Sequence, residues 1–241
     1  MLQILITGQR GILMNKSLVV ITGASSGIGA SMAAVFSHAG YPVCLLSRNQ
    51  AAMEKFNLPN SLCLSVDVTE LEAFKKAIDL AEDKFGPVDL LCNNAGFVKA
   101  GDFVDVAHEM NETMINVNIK GVINGLEIVL SRMREQKGET IINTSSVADR
   151  NARLNFAVYA ATKAAVKSIT ESLRMANAKY GIRICNLAPA KIRTPMLISS
   201  TLPASEVVEP IDVARVALWI YEQPQGICIR DLVIAPTSYE P

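Results

Sequence analysis

Tyr159 and Lys163 are the first residues in the chain whose types and spacing point to chemistry. They stand four apart within residues 158–179. There Ala160, Ala164, Ile169, Leu173 and Met175 are apolar and Lys167, Thr170, Glu171 and Arg174 are polar, which predicts a helix. Side chains at i and i+4 share one helix face, so the spacing sets a phenol beside an ammonium. A free tyrosine ionises near pH ~10 and is a poor acid or base at neutrality. An ammonium ~4 Å away, at an effective dielectric of ~20, favours the phenolate by up to ~4 kcal/mol. At ~1.36 kcal/mol per unit this brings the phenol to ~7, where it can exchange a proton with an alcohol or carbonyl oxygen. The competing reading is an ordinary solvated helix with a surface lysine and a half-buried tyrosine. The pair alone does not decide between them.

The elements that must position this pair can be read in order. Residues 17–22 form a continuous apolar strand, as in a parallel sheet buried on both faces. Gly23-Ala24-Ser25-Ser26-Gly27-Ile28-Gly29 follows, then a helix over 30–38. Strand, glycine-rich turn and helix is the context of a dinucleotide site, where glycines admit a pyrophosphate to the helix N-terminus. A tight turn that binds nothing is the plainer alternative. A second strand, 41–47, ends in Ser47-Arg48-Asn49 without the acidic residue that holds a ribose 2′-hydroxyl. Arg48 suits a 2′-phosphate instead. Asp67 closes a third strand over 62–68, either meeting an adenine edge or capping a helix over 69–84.

A fourth strand, 88–93, leads into Asn94-Ala95-Gly96 at the strand end, where α/β sheets bind ligands. A helix over 106–136 carries Asn118 in its interior. Asparagine is a poor helix former, so it invites a local task such as holding water or backbone. Ser145-Ser146 ends a fifth strand, 140–144, and a polar connection over 149–155 leads to the Tyr159 helix. A sixth strand spans 182–187. Residues 196–209 form a loop or short helix suited to a mobile substrate lid. A helix over 211–222 and a strand over 227–234 complete one α/β domain of about seven strands, residues 14–241, with residues 1–13 as an N-terminal extension.

Composition narrows the function classes. Lys plus Arg equals Asp plus Glu at 23 each, so no basic surplus points to nucleic acid or an anionic membrane. No apolar run approaches a membrane span. The five cysteines make no CxxC, and His38 and His108 are far apart. The cysteines read as buried thiols in a reducing cytoplasm, with no disulfide frame and no metal site.

Taken together, Thr22-Gly23-x-x-x-Gly27-x-Gly29, Asn93-Asn94-Ala95-Gly96, Ser146 and Tyr159-x-x-x-Lys163 resemble the short-chain dehydrogenase/reductase family in its compact single-domain branch. The resemblance covers residues 16–234, with Ser146 thirteen residues before Tyr159. It implies a Rossmann-type doubly wound parallel sheet with helices on both faces. It also implies an oxidoreductase that interconverts a secondary alcohol and a ketone by hydride transfer. Tyr159 is then the general acid/base, Lys163 lowers its pKa and binds the nicotinamide ribose, and Ser146 holds the substrate oxygen. Asn118 anchors a water in a proton relay through Lys163. Gly23, Ser25, Ser26, Ile28 and Gly29 surround the phosphates, Ser47 and Arg48 the ribose end, and Asp67 and Val68 the adenine. Asn94 braces the central strands and Gly96 keeps the cofactor passage open, while Pro189, Ile192 and Thr194 flank the nicotinamide. Arg48 goes with NADP, NAD being the second choice. The family also implies a homodimer or homotetramer. A dinucleotide-binding sensor without turnover, or a dehydratase or epimerase using the same tetrad, is the alternative function. A small 3-hydroxy acid is the alternative substrate.

Three positions depart from the family pattern. Ala190 stands where glycine is usual, and Cys185 precedes Asn186 where the asparagine usually comes first. Asp149 sets a carboxylate near the pocket's edge, which disfavours an acidic substrate unless Arg150 or Arg153 offsets it.

Overall fold

The computed structural model describes residues 16–196 and 203–240. Seven strands run in chain order: β1 (Leu18–Thr22), β2 (Val43–Ser47), β3 (Ser61–Ser65), β4 (Val88–Asn93), β5 (Thr140–Thr144), β6 (Arg183–Pro189) and β7 (Asp231–Ile234). They form one parallel sheet in the order β3-β2-β1-β4-β5-β6-β7. The helices are α1 (Gly27–His38), α2 (Gln50–Glu54), α3 (Leu71–Phe85), α4 (His108–Ile115), α5 (Gly121–Gln136), α6 (Ala157–Asn177) and α7 (Pro210–Tyr221).

The unbroken apolar run of β1 has a direct structural cause. Leu18 and Val20 point into one core, shared with Phe74 and Ile78 of α3, Leu126 and Val129 of α5 and Val166 of α6. Val19 and Ile21 point into the other, shared with Met32 and Phe36 of α1 and Val213 and Ala217 of α7. Side chains alternate across a strand, so a strand covered on both faces must be apolar at every position. Strand order reverses between β1 and β4, and the crevice outside their C-terminal ends is the topological switch point where such sheets bind ligands.

Several boundaries differ from the sequence expectation. β3 stops at Ser65, so Asp67 lies beyond the strand in a turn. Its Oδ1 accepts from the Thr69 N–H at 3.0 Å and the Thr69 hydroxyl at 2.8 Å, just ahead of α3. α2 has no counterpart in the sequence reading, and β7 spans only four residues. The helix expected over 106–136 is interrupted at Asn116–Lys120 by one π-helical turn. The expected lid falls partly outside the described residues. Its described part holds a short 3-10 turn, Ala204–Glu206, and a bridge from Val208 to Ile192. The extension over 1–13 also lies outside them.

Among the described residues no helix is long and apolar enough to cross a membrane. None of their His, Cys, Asp and Glu side chains form a group that could hold a metal ion. Cys44, Cys92 and Cys185 are buried, and burial pushes the Cys44 thiol up to about 12.

One polar ladder runs through the core behind the strand ends. Asn93 of β4 donates to Asn143 Oδ1 of β5 at 2.9 Å, and Asn143 donates to the Thr170 hydroxyl of α6 at 2.8 Å. Thr170 in turn donates to the Val166 carbonyl at 2.7 Å. All three side chains are buried, so each bond replaces water that cannot enter. Asn143→Ala orphans the Asn93 amide and is expected to cost about 1–3 kcal/mol, a fall in Tm of roughly 3–10 °C by calorimetry.

Candidate active site

The glycine-rich turn occupies the β1–α1 junction. Gly23 and Gly27 have φ of +66° and +55°, and a Cβ on Gly29 would sit 2.3 Å from the Gly23 carbonyl oxygen. The turn is pressed onto the next strand end, since a Cβ on Gly23 would meet the Ala95 backbone at 2.8 Å. Asn94 clamps β4 to β1: its Nδ2 donates to the Thr22 carbonyl at 3.1 Å, and its N–H donates to the Thr22 hydroxyl at 2.9 Å. α1 begins at Gly27 rather than residue 30, and Ser26 at its N-cap makes no side-chain capping bond. Ser26 therefore leaves the first N–H groups of α1 open to another acceptor.

The catalytic candidates gather where β5 ends. Ser146 sits at the N-cap of the 3-10 turn Val147–Asp149, its Oγ accepting from the Ala148 N–H at 3.2 Å. Tyr159 and Lys163 lie one turn apart on α6, the Lys163 Nζ 5.8 Å from the Tyr159 ring centroid. Lys163 is only 5% exposed. Its Nζ donates to the Thr144 carbonyl at 2.9 Å, and its own carbonyl accepts from the Ser145 hydroxyl at 3.3 Å. Asn118, fully buried in the π turn, grips the Phe97 backbone: Oδ1 accepts from the Phe97 N–H at 2.7 Å and Nδ2 donates to its carbonyl at 2.9 Å. Nδ2 also donates to the Thr162 hydroxyl at 3.0 Å. A Cβ on Gly96 would lie 3.5 Å from Asn118 Oδ1 and 3.8 Å from Lys163 Nζ, so glycine keeps the space between them open.

The electrostatics correct the simple phenol–ammonium picture. Burial raises the Tyr159 phenol above its ordinary value; a hydrogen bond from Ser146 opposes the rise and the Asp149 charge adds to it. Burial pushes the Lys163 ammonium down to about 8, with Asp149 opposing. In the free protein the lysine does not bring the tyrosine to neutrality, because both charged forms are desolvated in one place.

The remaining candidates spread along the crevice. Ser47 is buried at the end of β2, its Oγ accepting from the Asn49 N–H at 3.0 Å. Arg48 is exposed beside it, close enough for its charge to bear on Asp67. Burial raises the Asp67 carboxyl, but the two Thr69 bonds with Arg48 and Lys120 outweigh it and hold the group below its ordinary value. Val68 turns its side chain into the core against Gly121. Pro189 ends β6 opposite Ile234, Ile192 is buried, and the Thr194 methyl stands 3.0 Å from a Cβ placed on Gly27. Ser25 and Ile28 line the turn, half-buried.

Asp149 does not present a bare carboxylate to the pocket. Its side chain is 0% exposed, and it is held by Arg150 Nε at 2.6 Å, Arg150 Nη2 at 3.2 Å and Asn186 Nδ2 at 2.9 Å. Asn186 also donates to Asp231 at 2.9 Å, so two departures from the family pattern serve one network joining the Ser146 turn to β6 and β7. The sequence reading missed Thr144, Ser145 and Thr162, which hold Lys163 and Asn118. Thr144 and Ser145 are signalled only by a run of hydroxyls at a strand end, and Thr162, inside α6, by nothing local.

This sheet order, glycine cradle and serine–tyrosine–lysine cluster define a dinucleotide-dependent oxidoreductase. The chain matches the short chain dehydrogenase family over residues 17–203 and belongs to it. It is 34% identical to an uncharacterised oxidoreductase of Listeria monocytogenes, covering 93% of this chain and 98% of that protein. It is 28% identical to 3-ketoacyl-(acyl-carrier-protein) reductase from Brucella melitensis in complex with NADH, with a TM-score of 0.86 over 92% of this chain and 97% of that one. The alcohol dehydrogenase of the archaeon Thermococcus sibiricus, solved with 5-hydroxy-NADP, has the same fold at 22% identity, with a TM-score of 0.87 over 94% and 99% of the two chains. The protein is therefore a nicotinamide-dinucleotide-dependent dehydrogenase or reductase. Its residues fit such a group: the α1 N-terminus lacks a side-chain cap, and the glycine cradle leaves no room for a Cβ.

The depressed pKa of Lys163 has a thermodynamic sign. Between about 8 and the unfolded value near 10.4 the unfolded chain binds more protons, so stability from this group rises with pH over that window. Lys163→Met is expected to be more stable than the native chain at pH ~7, with the gap closing by pH ~10 in paired thermal melts.

Proposed function

We propose that the protein is an NADP(H)-dependent reductase of ketones to secondary alcohols, reversible, with Tyr159 as general acid and base. The observation that carries this reading is the convergence of Ser146, Tyr159 and a buried Lys163 at the C-terminal end of β5, beside the glycine cradle. When bound, the nicotinamide dinucleotide supplies or accepts the hydride.

Each side chain has a separable task. Ser146 Oγ already accepts from Ala148, which leaves its O–H to donate to Tyr159 or to a substrate oxygen. Tyr159 Oη holds the proton that the developing alkoxide takes. Lys163, fixed by the Thr144 carbonyl, has two further N–H bonds for ribose hydroxyls and keeps a positive charge behind the phenol. Asn118 fixes the Phe97 backbone on the far side of Gly96 and so shapes the proton path. Arg48, exposed beyond β2 with no ion pair among the described residues, supports the choice of NADP through its 2′-phosphate. The protein works in the cytoplasm as a homodimer or homotetramer, a reading supported by three uncrosslinked buried thiols and by an outer edge of β7 that is unpaired among the described residues.

Tyr159→Phe is expected to lower ketone turnover by roughly 10²–10⁴-fold while NADPH affinity stays within about twofold. Near-native turnover in that variant removes Tyr159 from the chemistry. Arg48→Asp is expected to weaken NADPH by about tenfold or more and NADH far less, read by fluorescence titration; equal loss of both means that Arg48 does not read the phosphate.

A further inference from the structure

Four charged side chains meet beside the catalytic cluster. Asp149 and Arg150 come from the turn that follows Ser146, Lys167 from α6 and Asp231 from β7. The Asp149 N–H donates to the Ser146 carbonyl at 2.9 Å, which ties the carboxylate's backbone to the serine. Lys167 lies one turn after Lys163 on α6, its Nζ 4.0 Å from Asp149 Oδ1 and 3.5 Å from Asp231 Oδ2. The network therefore runs alongside the helix turn that carries the catalytic lysine. The neutral Asn186 of β6 completes it, donating to Asp149 Oδ2 and Asp231 Oδ1, both at 2.9 Å.

Two acids and two bases cancel in sum, but they do not cancel inside the protein. The Asp149 side chain is 0% exposed, whereas those of Arg150, Lys167 and Asp231 are 26%, 35% and 36% exposed. Water screens the three charges that reach it and cannot screen Asp149 in the same way. The interior beside the turn therefore feels a net negative charge. Each side-chain hydrogen bond to the Asp149 carboxylate among the described residues comes from a donor, two from Arg150 and one from Asn186, as a charged carboxylate requires. The effect reaches both catalytic groups on α6. Burial raises the Tyr159 phenol, the Ser146 hydrogen bond lowers it, and the Asp149 charge raises it again. Burial lowers the Lys163 ammonium, and the Asp149 charge opposes that fall. Asp149 also departs from the family pattern, so this charge is a feature of this chain.

We propose that Asp149 is a positioning residue of the site, a buried fixed charge that keeps Tyr159 in its proton-donating form and Lys163 in its charged form. Arg150 sets how much of that charge the site feels. This rests on the reading of Tyr159 as the proton donor and names what tunes it. A phenol that keeps its proton to higher pH suits the reducing direction, in which the developing alkoxide must receive one.

The test is ultraviolet titration of the tyrosinate band in the full chain without cofactor, each time as the difference from the same chain carrying Tyr159→Phe. Asp149→Asn removes the buried charge and is expected to lower the Tyr159 midpoint by about half a pH unit or more. Arg150→Gln removes the cation that offsets it and is expected to raise the midpoint. Loosened packing alone would move both variants the same way. A midpoint that does not fall in Asp149→Asn, or does not rise in Arg150→Gln, overturns the proposal. Each variant decides by its own sign, so misfolding of one leaves the other decisive. With any ketone that the native chain reduces, the alkaline limb of kcat/KM is expected to move with the same two signs. Opposite shifts in the titration with an unmoved alkaline limb leave the Asp149 effect standing and sink Tyr159 as the proton donor instead.

Discussion

Burying an ammonium is the constraint on which the site depends. Lys163 sits at the end of a parallel sheet with one carbonyl, that of Thr144, as its hydrogen-bond partner, and burial pulls its pKa down to about 8. Such a charge is expensive unless the surrounding chain fixes it in place. The surrounding chain does so: Ser145 holds the Lys163 carbonyl, Asn118 and Thr162 brace the same helix against the Phe97 loop, and Gly96 leaves room for the Nζ. The tyrosine one turn away shares the same dry environment, and that environment raises its phenol.

The helices and strands serve that geometry in distinct ways. Two cores, one on each side of the sheet, make the strand ends a rigid edge. The Asn93–Asn143–Thr170 ladder ties β4 and β5 to α6, so the helix bearing Tyr159 is registered by hydrogen bonds as well as by apolar contact. The π turn at Asn116–Lys120 aims Asn118 at the Phe97 backbone, which a regular α-helix would aim elsewhere. The Asp149–Asn186–Asp231 network does the same for the Ser146 turn from the opposite flank.

The sheet is legible because a doubly covered strand such as β1 leaves a continuous apolar run, and β4 and β5 begin and end where the sequence places them. The sequence extends β3 past its end at Ser65, since Val66 and Val68 are buried and apolar although they lie beyond the strand. α2 was missed because five residues give no helical period. Asn118 was legible as an anomaly in a helix, but its partner Phe97 was not, being 21 residues away and bonded through backbone. Asp149 shows the same limit: the sequence names Arg150 as an offset for its charge, which the structure bears out, but only the fold shows that Asn186, 37 residues on, also holds it. Ser146, Tyr159 and Lys163 were found by spacing along one helix and one strand end, whereas their electrostatic balance depends on burial that no local pattern records.

Desolvation holds the Tyr159 phenol above its ordinary ionisation range in the free protein, and a bound dinucleotide bringing positive charge to the site is expected to lower it. The most direct measurement is ultraviolet titration of the tyrosinate band, taken as the difference between the native chain and Tyr159→Phe, with and without saturating NADP. The expected midpoint lies above the ordinary tyrosine value near ~10 in the free protein, and falls when the dinucleotide is bound. A free-protein midpoint below that value, or one unmoved by the dinucleotide, would contradict it.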